Sequence, residues 1–180
     1  MRSTAAAAQS VAAPSPGAAA VQVLPTGPDA RVDAIEQVVL STIYGAVRAL
    51  TLTTPYFIPD ESILAALKSA VGRGVKVTLV VPARVDSRLV RYASRAHQAD
   101  LLAAGVQIAL FEGGLLHTKS ITVDEQFCLF GSLNLDPRSL RLDFEITLVV
   151  YDREFTLAVR QLQQSYLERS TLLNLATCRA

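Results

Sequence analysis

One run constrains the architecture of this chain more than any other: Val75-Lys76-Val77-Thr78-Leu79-Val80-Val81, with Gly72 and Gly74 before it and Pro82 after it. β-branched residues pack well on a pleated surface, and a run this apolar suits a strand covered on both faces. Helices must therefore lie above and below it, and the flanking segments supply them. Asp29 can cap a helix to about Leu50, in which Val32, Ile35, Val38, Val39, Thr42, Ile43, Ala46 and Val47 recur at spacings of three and four. Asp60 opens a second helix to about Val71, and Asp86 a third to about Ala104, closed by Gly105. Ala49 to Thr53 and Val106 to Phe111 read as further strands, giving a βαβαβ rhythm and a parallel sheet.

From Leu116 the pattern changes. Leu116 to Val123 and Gln126 to Phe130 form two strands joined by Asp124-Glu125, a hairpin signal. A loop from Gly131 to about Leu140, a strand from about Asp143 to Tyr151 and a helix from about Glu154 to Leu167 follow. Val21 to Pro25 alternates like a short strand before the turn Pro25-Thr26-Gly27-Pro28. The expected fold is α/β: a single domain with a mixed, mostly parallel sheet and helices on both faces. Residues 1–20 read as a disordered Ala-rich leader, 21–170 as the domain and 171–180 as a tail.

At 180 residues the chain has room for one sizeable core, and 51% hydrophobic against 18% charged residues fits a packed protein. A net charge of +1 lacks the basic excess of a non-specific nucleic-acid binder, so nucleic acid is not the expected partner. Cys128 and Cys178 match no metal-ligand spacing and suggest no disulfide framework. No apolar run reaches the ~18–20 residues that span a bilayer.

The chemistry concentrates in His117-Thr118-Lys119-Ser120-Ile121-Thr122-Val123-Asp124, followed by Gly131-Ser132-Leu133-Asn134. On a strand, i and i+2 share a face, so His117 and Lys119 are expected to flank one spot. Lys119 then offers charge and donors to phosphate oxygens, while His117 attacks phosphorus or protonates a leaving group. Ser132 and Asn134 add neutral donors, and Gly131 lets backbone approach a ligand. A lone His-x-Lys is ordinarily a surface feature; the joint spacing with Asp124 and Gly-Ser-x-Asn is what makes it a site.

These residues resemble the phospholipase D superfamily: His117, Lys119 and Asp124 match its H-x-K-x4-D (HKD) motif, and Gly131, Ser132 and Asn134 its downstream G-S-x-N. Thr54-Pro55-Tyr56-Phe57-Ile58-Pro59-Asp60-Glu61, Gly113 to Ser120 and Asn134 to Leu140 are similar, more narrowly, to the C-terminal half of bacterial cardiolipin synthases. The resemblance implies exchange of a phosphodiester through a phosphohistidine, without metal or other cofactor, and a phosphatidyl group passed between phosphatidylglycerol molecules. It assigns His117 as nucleophile or general acid, and Lys119, Ser132 and Asn134 to the phosphate. Asp124 organises the turn, and Glu145 is the carboxylate that fixes the tautomer of His117. Anionic phospholipids and a membrane surface are the implied partners, at the cytoplasmic side of a bacterial inner membrane.

Two departures follow. Asp143 stands where these synthases usually have Asn, adding negative charge near Glu145. The family normally carries two such motifs, and this chain reads as holding the second without the first, whereas in-line displacement needs groups on both sides of phosphorus. The expectation is therefore a homodimer, or a second half supplied in trans; the alternatives are a phospholipase D or nuclease-type phosphodiesterase, or an inactive lipid-binding fragment. Lys68 to Arg95 holds seven Lys or Arg against the single acid Asp86, either a solvated face or a patch for anionic headgroups.

Overall fold

The computed structural model describes residues 19–27, 34–84 and 97–178. Strand β1 (Ala20–Thr26) leads to helix α1 (Ala34–Gly45), strand β2 (Ala49–Thr53), helix α2 (Glu61–Gly72) and strand β3 (Lys76–Pro82). Residues 97–104 belong to helix α3, followed by β4 (Gln107–Phe111), β5 (Ser120–Val123) and β6 (Phe127–Gly131). The chain ends with α4 (Pro137–Arg141), β7 (Glu145–Tyr151), α5 (Arg153–Leu167), β8 (Ser170–Leu172) and α6 (Leu175–Cys178).

The apolar run found in the sequence is β3, and it lies inside one mixed sheet of order β1-β7-β6-β5-β2-β3-β4-β8. Only β2-β3 and β3-β4 pair in parallel; the other neighbours are antiparallel, so the sheet is less parallel than the βαβαβ rhythm implied. One reason is connection length: residues 112–119 link β4 to β5 without a helix and residues 124–126 close the β5–β6 hairpin, so both links reverse the chain.

Alternation along the strands sorts side chains between two layers. Leu50, Leu52, Val77, Leu79, Ile121, Val123, Leu129 and Val149 join Ile35, Ile43, Ile63, Leu67 and Leu101 from α1, α2 and α3 in the main core. On the opposite face Val80, Ala109 and Phe111 meet Tyr166 and Leu167 of α5, and Cys128 and Val150 meet its Val159. Helices thus cover both faces, as expected.

Several boundaries move. Helix α1 stops at Gly45 rather than near Leu50, because Val47, Arg48 and Ala49 turn their N–H groups to Asp124. Strand β5 begins at Ser120, not Leu116. The loop after β6 contains α4, whose Asp136 accepts from the Ser139 N–H at 2.9 Å with Pro137 at the first helical position. Residues 170–172, which straddle the expected end of the domain and start of the tail, pair with β4. Of the expected leader, residues 1–18 lie outside the described residues while Ala20 already begins β1; Asp29, the first part of the third helix, and Asp86, Arg88, Arg91 and Arg95 of the basic stretch also lie outside them. Of its remaining members, Lys68 pairs with Asp100 at 3.3 Å, and Arg73 donates to the carbonyls of Ile43, Tyr44 and Ala46 at the end of α1.

Candidate active site

Parallel strands β2 and β3 end at Thr53 and Pro82, and antiparallel β5 starts beside Thr53. Gly131 at the end of β6 and Glu145 at the start of β7 come to the same edge. The carboxyl ends of parallel strands are where ligands bind in open α/β sheets, and His117 and Lys119 lie in the segment that enters β5 there.

The two side chains meet, though not through strand geometry. Residues 115–119 are irregular, preceded by Gly114 at φ 113°, a conformation that favours glycine. Lys119 Nζ lies 3.1 Å from Nδ1 and 3.2 Å from Nε2 of His117 and donates to the His117 carbonyl at 2.9 Å. What holds the segment is α5. The alternate residues bind it: Thr118 Oγ1 lies 2.7 Å from Tyr166 Oη, and Ser120 Oγ accepts from Gln163 Nε2 at 3.1 Å. Fully buried Gln163 also accepts from Thr122 Oγ1 at 2.7 Å and donates to the Thr51 carbonyl at 3.2 Å.

Lys119 is 8% exposed. Burial pulls its pKa below the usual 10.5, and the nearby Glu145 carboxylate partly offsets this. A cation so desolvated is poised for an anion. A small cavity beside it is lined by Thr53 and Thr147, whose buried hydroxyls have no hydrogen-bond partner among the described residues. The sequence reading missed both; buried polar groups normally find partners, and these two face the same space as Lys119. On its other side His117 opens into a cleft formed with Pro55, Tyr56, Arg84 and Leu115. Arg84 is a further cation at this cleft.

The remaining sequence candidates divide. Ser132 stands at the site edge with its Oγ accepting from the Ile146 N–H at 3.0 Å. Asn134 donates from Nδ2 to Ser139 Oγ at 3.1 Å, and among the described residues its buried Oδ1 has no partner. Glu145 acts on Lys119, and among the described residues no hydrogen bond joins it to His117. Gly131 does serve a close approach, but toward protein: a Cβ there would meet the Ile146 carbonyl oxygen and Thr147 Cα on β7.

Asp124 is at the far end of β5 from His117. Its carboxylate accepts from Val47, Arg48 and Ala49 N–H groups at 2.8, 2.7 and 2.7 Å, which ties the β5–β6 turn to the link between α1 and β2. Burial would push this carboxyl up, but those N–H groups and the Arg48 charge outweigh it and hold the pKa below 3.8. Asp124 and Glu125 both have positive φ, the pattern of a tight hairpin turn. Asp143, the residue expected to add charge near Glu145, instead accepts from Arg138 Nε at 3.0 Å.

Comparison with known proteins identifies the family. The family described as "Cardiolipin synthase, PLD-like domain" matches residues 39–167. The chain is 49% identical over 154 residues to cardiolipin synthase A of Erwinia tasmaniensis, covering 86% of this chain and 32% of that one. The figures for cardiolipin synthase A of Wigglesworthia glossinidia brevipalpis are 49%, 86% and 31%. The chain thus spans about a third of the length of these relatives. Among solved structures, the phospholipase D family member Nuc from Salmonella typhimurium superposes with a TM-score of 0.75 at 22% identity, covering 87% of this chain and 99% of that one. Phosphatidylserine synthase of Haemophilus influenzae Rd KW20 gives 0.70 at 20% identity, covering 88% and 41%. At those identities the two structures speak for the fold alone. The sequence matches, together with an imidazole and a buried ammonium at the sheet edge, make this chain a member of the cardiolipin synthase branch of the phospholipase D-like family.

Proposed function

We propose that this domain carries half the active site of a phosphatidyltransferase that makes cardiolipin from two phosphatidylglycerol molecules. The observation that supports this most directly is the contact of 3.1 Å between Lys119 Nζ and His117 Nδ1 beside an open cleft, in a chain 49% identical to cardiolipin synthase A. His117 attacks phosphorus and the bond from phosphorus to the glycerol headgroup breaks. That glycerol leaves with a proton from a second imidazole, and a phosphohistidine remains. The hydroxyl of another phosphatidylglycerol then attacks, returning its proton to the second imidazole and freeing His117. Lys119 and Arg84 offset charge on the phosphate oxygens, Ser132 and Asn134 turn toward them once substrate is bound, and Glu145 steadies the imidazolium.

One imidazole cannot stand on both sides of phosphorus, so a second motif-bearing half completes the site, from another copy of this chain or in trans. An exposed apolar patch among the described residues supports such a partner. Val23 and Ile146 on the paired strands β1 and β7 are 57% and 55% exposed, and Phe144 just before β7 is 78% exposed, with the Ile146 N–H on Ser132. Work on phospholipid places the domain at the surface of a bacterial inner membrane; no helix among the described residues is long and apolar enough to cross it.

A second reading keeps the same first step and has water rather than a lipid hydroxyl attack the phosphohistidine, through the open cleft at His117. Incubation with phosphatidylglycerol labelled in both acyl chain and headgroup distinguishes the two. Cardiolipin with free glycerol supports the transferase, and phosphatidic acid with glycerol supports the hydrolase. Turnover that survives His117→Ala contradicts both.

A further inference from the structure

Tyr56 has a second neighbour besides the His117 cleft. Its ring is also a wall of a groove of about 660 Å³, with Ile58, Pro137 and Leu142 as apolar lining. That volume falls within the roughly 300–1,000 Å³ of small-molecule sites. The hydrogen bond from the Ile58 N–H to the Leu135 carbonyl, 2.9 Å, fixes the strip after Tyr56 against the segment that carries Asn134. The groove and the phosphate site are therefore built from the same two loops.

The charges along this groove are already engaged inside the protein. Arg138 is paired with Asp143 at 3.0 Å, and Arg141 lies 3.2 Å from both Glu36 and Asp60. Asp136 caps α4. A groove with neutralised walls and apolar surface favours an uncharged, apolar occupant, since an ionic ligand would have to displace these partners. The His117 cleft, which Tyr56 also lines, by contrast holds Arg84, and its His117 touches the buried Lys119 ammonium. The two spaces that Tyr56 borders thus suit the two ends of an amphiphile.

We propose that the groove between Tyr56 and α4 receives an acyl chain of the phospholipid whose phosphate lies at His117, with Tyr56 as the divider that sets headgroup against chain. This rests on the phospholipid reading above. It adds where the apolar end goes, and it gives the Asp143–Arg138 pair a role, that of masking a cation in the chain's path.

Titration of the intact protein with glycerophosphoglycerol and with dibutanoyl-, dihexanoyl- and dioctanoyl-phosphatidylglycerol, each below its micelle concentration, tests this by two-dimensional NMR. Affinity should rise with chain length, by up to roughly three- to four-fold for each methylene buried, with shifts at Tyr56, Ile58 and Leu142. Leu142 is 66% exposed, so Leu142→Glu leaves the core intact. It should bind glycerophosphoglycerol as the parent does and lose at least ten-fold for the eight-carbon lipid. Chain-length-independent binding, or a Leu142→Glu protein that keeps the gain, overturns the groove assignment while leaving the phosphate site standing. Absence of any glycerophosphoglycerol binding overturns the phospholipid reading, and the groove with it. Concentration-dependent shifts at Ile58 and Leu142 without lipid would show that a second copy fills the groove, and would also overturn the assignment.

Discussion

Tyr166 Oη on α5 lies 2.7 Å from Oγ1 of Thr118, the residue between His117 and Lys119. Three residues earlier on the same helix, Gln163 Nε2 donates to Ser120 Oγ, and residues three apart share a helix face. Helix α5 therefore holds the even-numbered residues of the segment, which leaves His117 and Lys119 to project the other way. Tyr166→Phe keeps the ring against Phe111, now 5.2 Å away edge to face, so the expected loss of stability is only about 1 kcal/mol. Phosphate affinity should fall several-fold. Gln163→Leu leaves Ser120, Thr122 and the Thr51 carbonyl short of partners and should cost about 2–4 kcal/mol in urea unfolding. A parental unfolding midpoint for Gln163→Leu would remove the network from the account.

Lys119 trades stability for binding. Its folded pKa lies below 10.5, so the unfolded chain holds that proton more firmly. Below the lowered pKa the cost of the buried charge is fully present, and it is relieved as pH rises through that value toward 10.5. Lys119→Met keeps most of the stem volume without the charge. It should stabilise the ligand-free protein by about 1 kcal/mol at pH 7, with the difference narrowing in alkali, while phosphate binding is lost. Urea titrations across pH and a parallel phosphate titration check both halves, and a destabilised variant that still binds phosphate would be the contrary result.

Asp124 behaves in the opposite sense. Its depressed pKa means that the stability it contributes is full above 3.8 and is lost as pH falls through the lower folded value. Asp124→Asn tolerates the positive φ and keeps one acceptor for the loop N–H groups. The loss at pH 7 should be about 1 kcal/mol, since the group is partly exposed and solvent screens its charge. Parent and variant should converge in acid, and phosphate affinity should stay unchanged. Equal stability of the two proteins at pH 7 would contradict the role given to this carboxylate.

Much of this is legible in the sequence. The run Val75 to Val81 announced a strand buried on both faces, and Asp60 and Gly105 marked helix ends through their capping chemistry. The pairing of His117 with Lys119 was also anticipated, but for a different reason. Strand alternation was expected, whereas an irregular segment pinned by Thr118 and Ser120 is observed. Tyr166 and Gln163 lay out of reach because they act across 48 and 43 residues of chain, and only the packing of α5 on β5 brings them in. Helix α4 did leave a sign in Asp136-Pro137, an N-cap followed by the proline preferred at the first helical position. Thr53 and Thr147 left none, since an unpartnered hydroxyl in a strand looks like any other threonine until its neighbours are known.

That an imidazole and a desolvated ammonium share one phosphate is tested most directly by titrating inorganic phosphate into the protein while following the imidazole resonances of His117. Saturable shifts at His117, with affinity reduced at least ten-fold in Lys119→Ala and little changed in Asp124→Asn, are the predicted result. Resonances of His117 that ignore phosphate, or respond equally with Lys119 removed, would contradict it.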